Sequence, residues 1–173
     1  MAETVNNTTV IKDKANKSLI MERVLEAPRQ RVWQAWTDPE LFSKWWGPYG
    51  WQTTVKDADF RPGGQMIYGM KCIDESQGEW FGQESWGKME FAAVDEPASF
   101  TYRDLFCDEN GTVNQEMPVM TITVEFIEQD GSTLVRSSGV FDSQEGYDKV
   151  IAMGVVDGAT QTWERLAELL QTQ

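Results

Sequence analysis

The sequence predicts an α+β protein in which a curved antiparallel sheet packs against a long C-terminal helix. Residues 51–141 alternate between apolar and polar side chains with period two, which is typical of strands joined by hairpins. Before them come a strand-length apolar run and two short helical patterns, and after them an apolar stripe with helical spacing. A sheet with one apolar face must cover it, and this last stripe is the longest candidate.

Length and charge limit the classes of function. The chain has 173 residues, which fits one domain, and a net charge of −13, with the acidic excess after residue 60. Nucleic acids and anionic membranes are poor partners for such a surface. The sequence contains no His, the commonest general base and metal ligand. Cys72 and Cys107 cannot form a zinc site alone, so we expect buried thiols, with a disulfide as the alternative, and no metal or cofactor.

The first residues carry few apolar side chains. Asn6 to Thr9 are all polar, so we interpret residues 1–17 as a flexible tail and residues 18–173 as a single domain. The tail lacks the apolar segment of a secretory signal, and the longest apolar run, Val150 to Val156, is far shorter than the roughly 20 residues that span a bilayer. These features predict a cytoplasmic protein.

The first elements are a strand and two short helices. Ser18 to Glu26 is a strand-length run, and Pro28 suits the first turn of a helix because its missing N–H costs nothing there. Asp38-Pro39 repeats that start signal, and Gly47-Pro48 ends the second helix. The apolar faces of the two helices are formed by Val32, Trp33 and Trp36, and by Leu41, Phe42, Trp45 and Trp46.

Trp46 has two interpretations. It can cover a cavity as a lid, since the indole combines a large apolar area with one N–H donor. Alternatively, Trp45 and Trp46 close the end of a packed core.

The predicted strands have one apolar face. Turn residues separate them at 61–64, 74–78, 108–111 and 129–131. The apolar positions include Met66, Tyr68, Met70 and Cys72 in one strand and Met120, Ile122, Val124 and Phe126 in another.

The C-terminal pattern predicts one helix from Tyr147 to Leu170, preceded by a capping box at 142–145. Gly154 and Gly158 are costly inside a helix, so either the backbone presses against the sheet there or the glycines widen a cavity. Asp157 lies between them and is a candidate polar contact in a pocket, with solvent exposure as the alternative. Arg103 and Arg136 are the strand cations that could pair with it.

Four motifs follow one another along the chain: Asp38-Pro39-Glu40-Leu41, Trp45-Trp46-Gly47-Pro48, Arg61-Pro62-Gly63-Gly64 and the segment from Phe106 to Gly111. With the order of the predicted elements, they resemble the START-like helix-grip superfamily (SRPBCC, START/Bet v-like) over residues 18–170. Within it, the chain is most similar to activator of 90-kDa heat-shock protein ATPase homologue-like proteins. One departure is Ala159, where the family often has a Trp directly after the glycine; this chain has Trp163 instead.

The resemblance implies a cavity between the helix and the concave sheet, which the superfamily uses for apolar molecules. We therefore expect a domain that binds a small apolar or amphipathic molecule, as a monomer or a homodimer. Candidate lining residues combine aromatic and Met side chains with one carboxylate. They are Trp46, Met66, Tyr68, Met70, Trp86, Phe100, Tyr102, Phe106, Met120, Met153 and Asp157.

Two other functions stay open at this level. The resemblance also permits a protein-interaction module that activates a chaperone ATPase. A cofactor-free cyclase, dehydratase or hydrolase would need an acid and a base, for which Glu84 or Glu90 with Tyr68 or Tyr102 are candidates. No spacing marks these residues as a pair, so no catalytic residue is assigned.

Overall fold

A computed structural model describes residues 2–172. The strands are β1 Ala2–Val5, β2 Thr8–Asp13, β3 Ser18–Leu25, β4 Trp51–Ala58, β5 Gln65–Cys72, β6 Glu84–Asp95, β7 Ser99–Cys107, β8 Met120–Gln129 and β9 Ser132–Phe141. The α-helices are α1 Arg29–Thr37, α2 Pro39–Trp45, α3 Gln144–Ala152 and α4 Val155–Gln171, and a 3-10 segment spans Glu75–Trp80.

All nine strands form one antiparallel sheet in the order β1-β2-β3-β9-β8-β7-β6-β5-β4. Alternate residues point to its inner face, which the α-helices cover. On β7 the inner residues run from Phe100 to Phe106 in steps of two, and Asp104 pairs with Met120 of β8. The predicted helix-grip α+β fold is confirmed.

The expectation of a flexible N-terminal tail is wrong. β1 and β2 form a hairpin at one edge of the sheet, where Val10 pairs with Met21 and is fully buried. Asn6 and Asn7 make its two-residue turn with φ of 48° and 61°, a conformation that asparagine tolerates better than most residues. Their amides donate 2.9 Å hydrogen bonds to Thr160 and Glu164 of α4. The polar composition reflects a turn, not disorder.

The two short helices follow their predicted boundaries. The Asp38 carboxylate caps α2 by accepting a 2.9 Å hydrogen bond from the backbone N–H of Glu40. The Trp45 indole N–H donates to the Ala35 carbonyl at 2.9 Å inside the core, which ties α2 to α1. Among residues 2–172, no helix has the length and hydropathy needed to cross a bilayer.

The C-terminal helix is interrupted, contrary to the prediction of one continuous helix. Gly154 has a φ of 84°, a left-handed conformation that ends α3 and separates it from α4. The 17 residues of α4 span about 25 Å at 1.5 Å per residue, shorter than one continuous helix from Tyr147 to Leu170 would be. Ser143 caps α3 by accepting from the Gly146 backbone N–H at 2.9 Å, as the capping-box pattern predicts.

One end of the inner face holds a packed aromatic core. There the indole of Trp33 makes edge contacts with Phe60, Phe100 and Phe126 at centroid distances of 5.7, 5.9 and 5.4 Å. Phe60 also packs on Phe91 at 4.5 Å. Such edge and tilted ring contacts add to the free energy gained from burial alone.

Candidate functional site

The other end of the inner face is not filled. Two adjoining chambers lie between α4 and the sheet: an outer chamber of about 240 Å³ and an inner chamber of about 150 Å³. Trp46, Asp104, Val155 and Ala159 line both of them. The outer chamber is also bordered by Gly47, Pro48, Tyr68, Met70, Ser85, Trp86, Gly87, Leu105, Phe106, Gly158 and Thr162. The inner chamber adds Leu19, Met21, Trp36, Tyr102, Met120, Ile122, Ser137, Gly139 and Trp163.

Small residues on α4 create this space. Val155, Gly158, Ala159 and Thr162 form the helix surface above the outer chamber. A Cβ atom added to Gly158 would meet no atom within 4 Å, so this glycine lies over open space. Of the two glycine interpretations, a widened cavity therefore fits Gly158. Gly154 has a third role, the break between the helices.

Trp46 forms the wall that the two chambers share. Its indole stacks on Phe42 at 4.7 Å and meets the Tyr68 ring edge-on at 5.6 Å. The Thr53 hydroxyl donates a hydrogen bond to the Trp46 carbonyl. The side chain is half-buried and belongs to both the aromatic packing and the cavity wall, so neither of its two interpretations excludes the other.

Arg165 fixes the loop that carries Trp46. Its guanidinium reaches from α4 to backbone carbonyls of that loop, at 2.8 Å from the Gly47 oxygen and 3.2 Å from the Trp51 oxygen. Desolvation by burial lowers the pKa of this guanidinium below its ordinary value. Arg165 does not stand out in the sequence, because no local pattern around a cation on the last helix shows what it binds.

Asp104 is the main site residue that the sequence analysis missed. It is the one charged residue in the lining of either chamber, among the residues that the structure describes. Desolvation by burial raises the pKa of its carboxyl to about 7, and no hydrogen bond or cation from residues 2–172 opposes that shift. The signal was present: the period-two pattern of β7 places Asp104 on the same face as Tyr102 and Phe106.

Two tyrosines flank this carboxyl. Tyr68 and Tyr102 are buried, and desolvation, followed by the charge of Asp104, raises the pKa of both hydroxyls well above their ordinary value. Both phenols are therefore neutral around pH 7. The Tyr68 hydroxyl lies against Gly87 of β6, where a Cβ atom would collide with it. Each ring offers the cavity an aromatic face and a neutral polar group.

The structure brings many of the predicted lining residues together. Trp46, Tyr68, Met70 and Phe106 line the outer chamber, and Trp46, Tyr102 and Met120 line the inner one. Two others belong to the packed core instead: Met66 and Phe100 are buried and border neither chamber.

Trp86 borders the outer chamber, but its side chain lies on the opposite face of the sheet. Trp86 pairs with Gly69, and the neighbouring pair of Tyr68 with Gly87 faces inward, so the Trp86 side chain points outward. Its ring lies over Gly69, 2.7 Å from where a Cβ atom of that residue would be. Alternation within β6 was available from the sequence, but the pairing with Gly69 was not.

The two predicted lining residues near the helix break are placed wrongly by the sequence analysis. Met153 is 56% exposed, because the chain turns at Gly154 and leaves its side chain outside. Asp157 is exposed, on the side of α4 away from the chambers, and accepts hydrogen bonds from Gln161 at 3.0 Å and Asn6 at 3.4 Å. The suggested cation partners bind elsewhere. Arg103 pairs with Asp142, and Arg136 with Glu22 and Glu125.

The carboxylate and tyrosine pairs considered for catalysis do not form. Glu84 is exposed and accepts from the Trp86 indole at 3.3 Å, and Glu90 lies 3.6 Å from Lys88. Neither lines a chamber with Tyr68 or Tyr102. Within the described part of the chain, no three His, Cys, Asp or Glu residues could hold a metal ion. Both cysteines are free thiols, Cys72 buried and Cys107 half-buried.

Comparisons with known proteins agree with this architecture. Residues 26–171 match the family described as activator of Hsp90 ATPase homolog 1-like protein. A crystal structure of a protein from Mycobacterium smegmatis is 37% identical, covers 93% of this chain and 94% of its own, and superposes with a TM-score of 0.83. A solution structure from Staphylococcus epidermidis is 30% identical, with coverages of 94% and 93% and a TM-score of 0.78.

A further solution structure, from Arthrobacter aurescens, has 28% identity, coverages of 95% and 91%, and a TM-score of 0.85. No curated protein matches the chain. The family match spans most of the sequence and includes α1, α2 and α4, the helix that covers the chambers. The chain therefore belongs to the activator of Hsp90 ATPase homolog 1-like family.

Proposed function

We propose that this protein binds a small, mostly apolar molecule in the two chambers beneath α4. The observation that carries the proposal is the unfilled space itself, in a fold whose other half is densely packed. Its walls are formed mainly by aromatic, Met and aliphatic side chains, with few polar groups. Ligand sites in proteins have this character, because apolar walls supply affinity and a few polar groups supply orientation.

The size of the space sets the size of the ligand. The outer chamber of about 240 Å³ suits a molecule with roughly ten non-hydrogen atoms, and the inner chamber of about 150 Å³ extends the site past Asp104. Several outer lining residues, among them Pro48 and Phe106, are half-buried, so a ligand has a route in from solvent.

Binding of neutral 1-octanol tests the proposal. The probe is titrated into uniformly ¹⁵N-labelled protein, and the indole N–H signal of Trp46 reports on the shared wall. We expect a saturable shift with a dissociation constant of about 10 µM to 1 mM, in line with the affinity that so few atoms can supply.

The matched variants are Ala159→Phe, which places a ring in both chambers, and Ala152→Phe, which changes an exposed position of α3. Binding should be lost in the first variant and kept in the second, while both keep the dispersed amide spectrum of a folded protein. A wild-type protein that binds neither 1-octanol nor naphthalene contradicts the proposal. If the wild-type protein binds neither probe but stimulates a chaperone ATPase, the protein-interaction module is the better interpretation.

A further inference from the structure

The carboxyl of Asp104 lies where the two chambers meet. Asp104 is on the inner face of β7, and both chambers include it in their walls, together with Trp46. The side chain has some solvent access through this space, but it is largely surrounded by protein. An acidic group in an otherwise apolar cavity is costly unless it is protonated or finds a partner.

The described part of the chain supplies no such partner. No Lys or Arg lines either chamber among residues 2–172, and the carboxyl accepts no hydrogen bond that would lower its pKa. The seven cations after residue 60 include Arg103, Arg136 and Arg165, and all three are engaged elsewhere. A ligand is therefore the group that could pair with this carboxyl.

The neighbours of Asp104 favour a cation over other polar groups. Besides Asp104, Trp46 lines both chambers, Tyr68 the outer and Tyr102 the inner one, and aromatic ring faces attract ammonium groups. The titratable groups whose pKa is raised by the charge of Asp104 are Tyr68, Tyr102 and Cys107. All three are neutral when protonated, so none of them supplies a positive charge. The net charge of −13 adds an attractive field for cations.

We infer that the ligand is a cationic amphiphile, an organic amine whose ammonium group pairs with Asp104 while its apolar part fills the chambers. This inference rests on the proposed function and narrows its ligand class. The ammonium donates to the carboxylate at the junction, and the chain or ring of the amine extends along α4 past Gly158 and Ala159. Asp104 is thus the specificity-determining residue of the site.

Three probes with the same apolar part test the inference: octylammonium, 1-octanol and octanoate. Their binding is followed at pH 8 by the Trp46 indole signal and by titration calorimetry. We expect octylammonium to bind at least about tenfold more tightly than 1-octanol, and octanoate to bind more weakly than either, because a charge pair in a desolvated site exceeds one neutral contact.

The variant Asp104→Asn keeps the shape of the side chain and removes its charge. Octylammonium should then lose its advantage and bind within about threefold of 1-octanol, whose own affinity should change little. Asp95→Asn is the matched control, because it changes the net charge by the same amount. Asp95 is exposed and lines neither chamber. It should leave all three affinities unchanged.

The wild-type protein gives a second, independent readout. With a pKa of about 7 for Asp104, only a minor fraction of the carboxyl is ionised at pH 6. Affinity for octylammonium should fall about tenfold between pH 8 and pH 6, whereas the affinity of 1-octanol should not fall.

The outcomes separate the two proposals. If none of the probes binds the wild-type protein, the proposed function fails. If 1-octanol binds but octylammonium binds no more tightly, the cationic ligand class is wrong and the apolar site stands. A preference for octylammonium that persists in Asp104→Asn, or that does not change between pH 8 and pH 6, overturns the role of Asp104.

Discussion

Phe100 and Phe106 lie in the two halves of the inner face, and their side chains differ in how completely they are packed. Both lie on β7, both point inward, and they are six residues apart. Phe100 is 2% exposed inside the aromatic core, whereas Phe106 is half-buried and lines the outer chamber. The difference comes from the helices above them. α1 places the indoles of Trp33 and Trp36 against Phe100, but α4 presents only small residues over Phe106. The helix side chains, not the strand residue, decide whether the space is filled.

Truncating the two phenylalanines should give the largest contrast. Phe100→Ala should lower the free energy of unfolding by about 3–5 kcal/mol, because it leaves a new cavity in a packed region. Phe106→Ala removes a ring that already borders open space, so its cost should be about 1 kcal/mol. Urea denaturation of both variants at pH 7 measures the difference. Equal losses would mean that the chambers are filled or collapsed in solution.

The next effect concerns the charge at the chamber junction. The folded-state pKa of Asp104 is about 7, above its ordinary value, so the folded protein binds more protons than the unfolded chain between about pH 4 and pH 7. Stability linked to this group is present below about pH 4 and is lost as the pH rises towards 7.

Asp104→Asn should therefore raise the free energy of unfolding at pH 8 by about 1–3 kcal/mol, less than the full shift implies because the carboxyl has some solvent access. The gain should disappear near pH 4. Denaturation curves of the variant and of Asp95→Asn between pH 4 and pH 8 provide the measurement. A destabilised variant at pH 8 would show that an unrecognised partner stabilises the carboxylate.

The smallest effect separates two glycines. Gly158→Ala should raise the free energy of unfolding by about 0.5–1 kcal/mol, because alanine is the better helix former and the added Cβ enters open space. Gly69→Ala should lower it, since the new Cβ would lie 2.7 Å from the Trp86 ring. Thermal melting of both variants checks the two signs. A destabilising Gly158→Ala would contradict the open space beneath α4.

The sequence was sufficient for the elements whose signals are local. Proline starts, the Asp38 cap and period-two alternation predicted α1, α2 and most strands near their observed ends. Sequence-based prediction failed at two places where the backbone takes a left-handed conformation. A left-handed Gly154 breaks the last helix, and left-handed Asn6 and Asn7 turn an apparently loose tail into a hairpin. The asparagine turn is held by hydrogen bonds to Thr160 and Glu164, distant contacts that composition does not encode.

The site residues show the same difference between local sequence signals, which are predictable, and contacts between elements, which are not. Alternation correctly directed Tyr68, Tyr102 and Met120 to the inner face, but it could not tell which inner residues meet a helix ring and which meet a gap. Phe100 was therefore grouped with lining residues although it lies in the core. Asp157 stands out in the sequence because it interrupts an apolar helix segment, yet it is exposed, and Asp104 is the carboxylate in the chamber walls. Trp33 and Trp36 of α1 cover Phe100, and Asp157 contacts Asn6 and Gln161 outside the chambers; sequence periodicity supplies neither set of contacts.

The hydrogen bond from Asn6 to Thr160 joins positions 154 residues apart. Closing a loop of that length costs entropy, and contacts of such long sequence separation form slowly. The turn of the β1–β2 hairpin therefore cannot help to hold α4 over the chambers until both of these distant segments have come together. In a refolding experiment, we expect the contact between Asn6 and Thr160, and with it the complete binding site, to be among the last features to form.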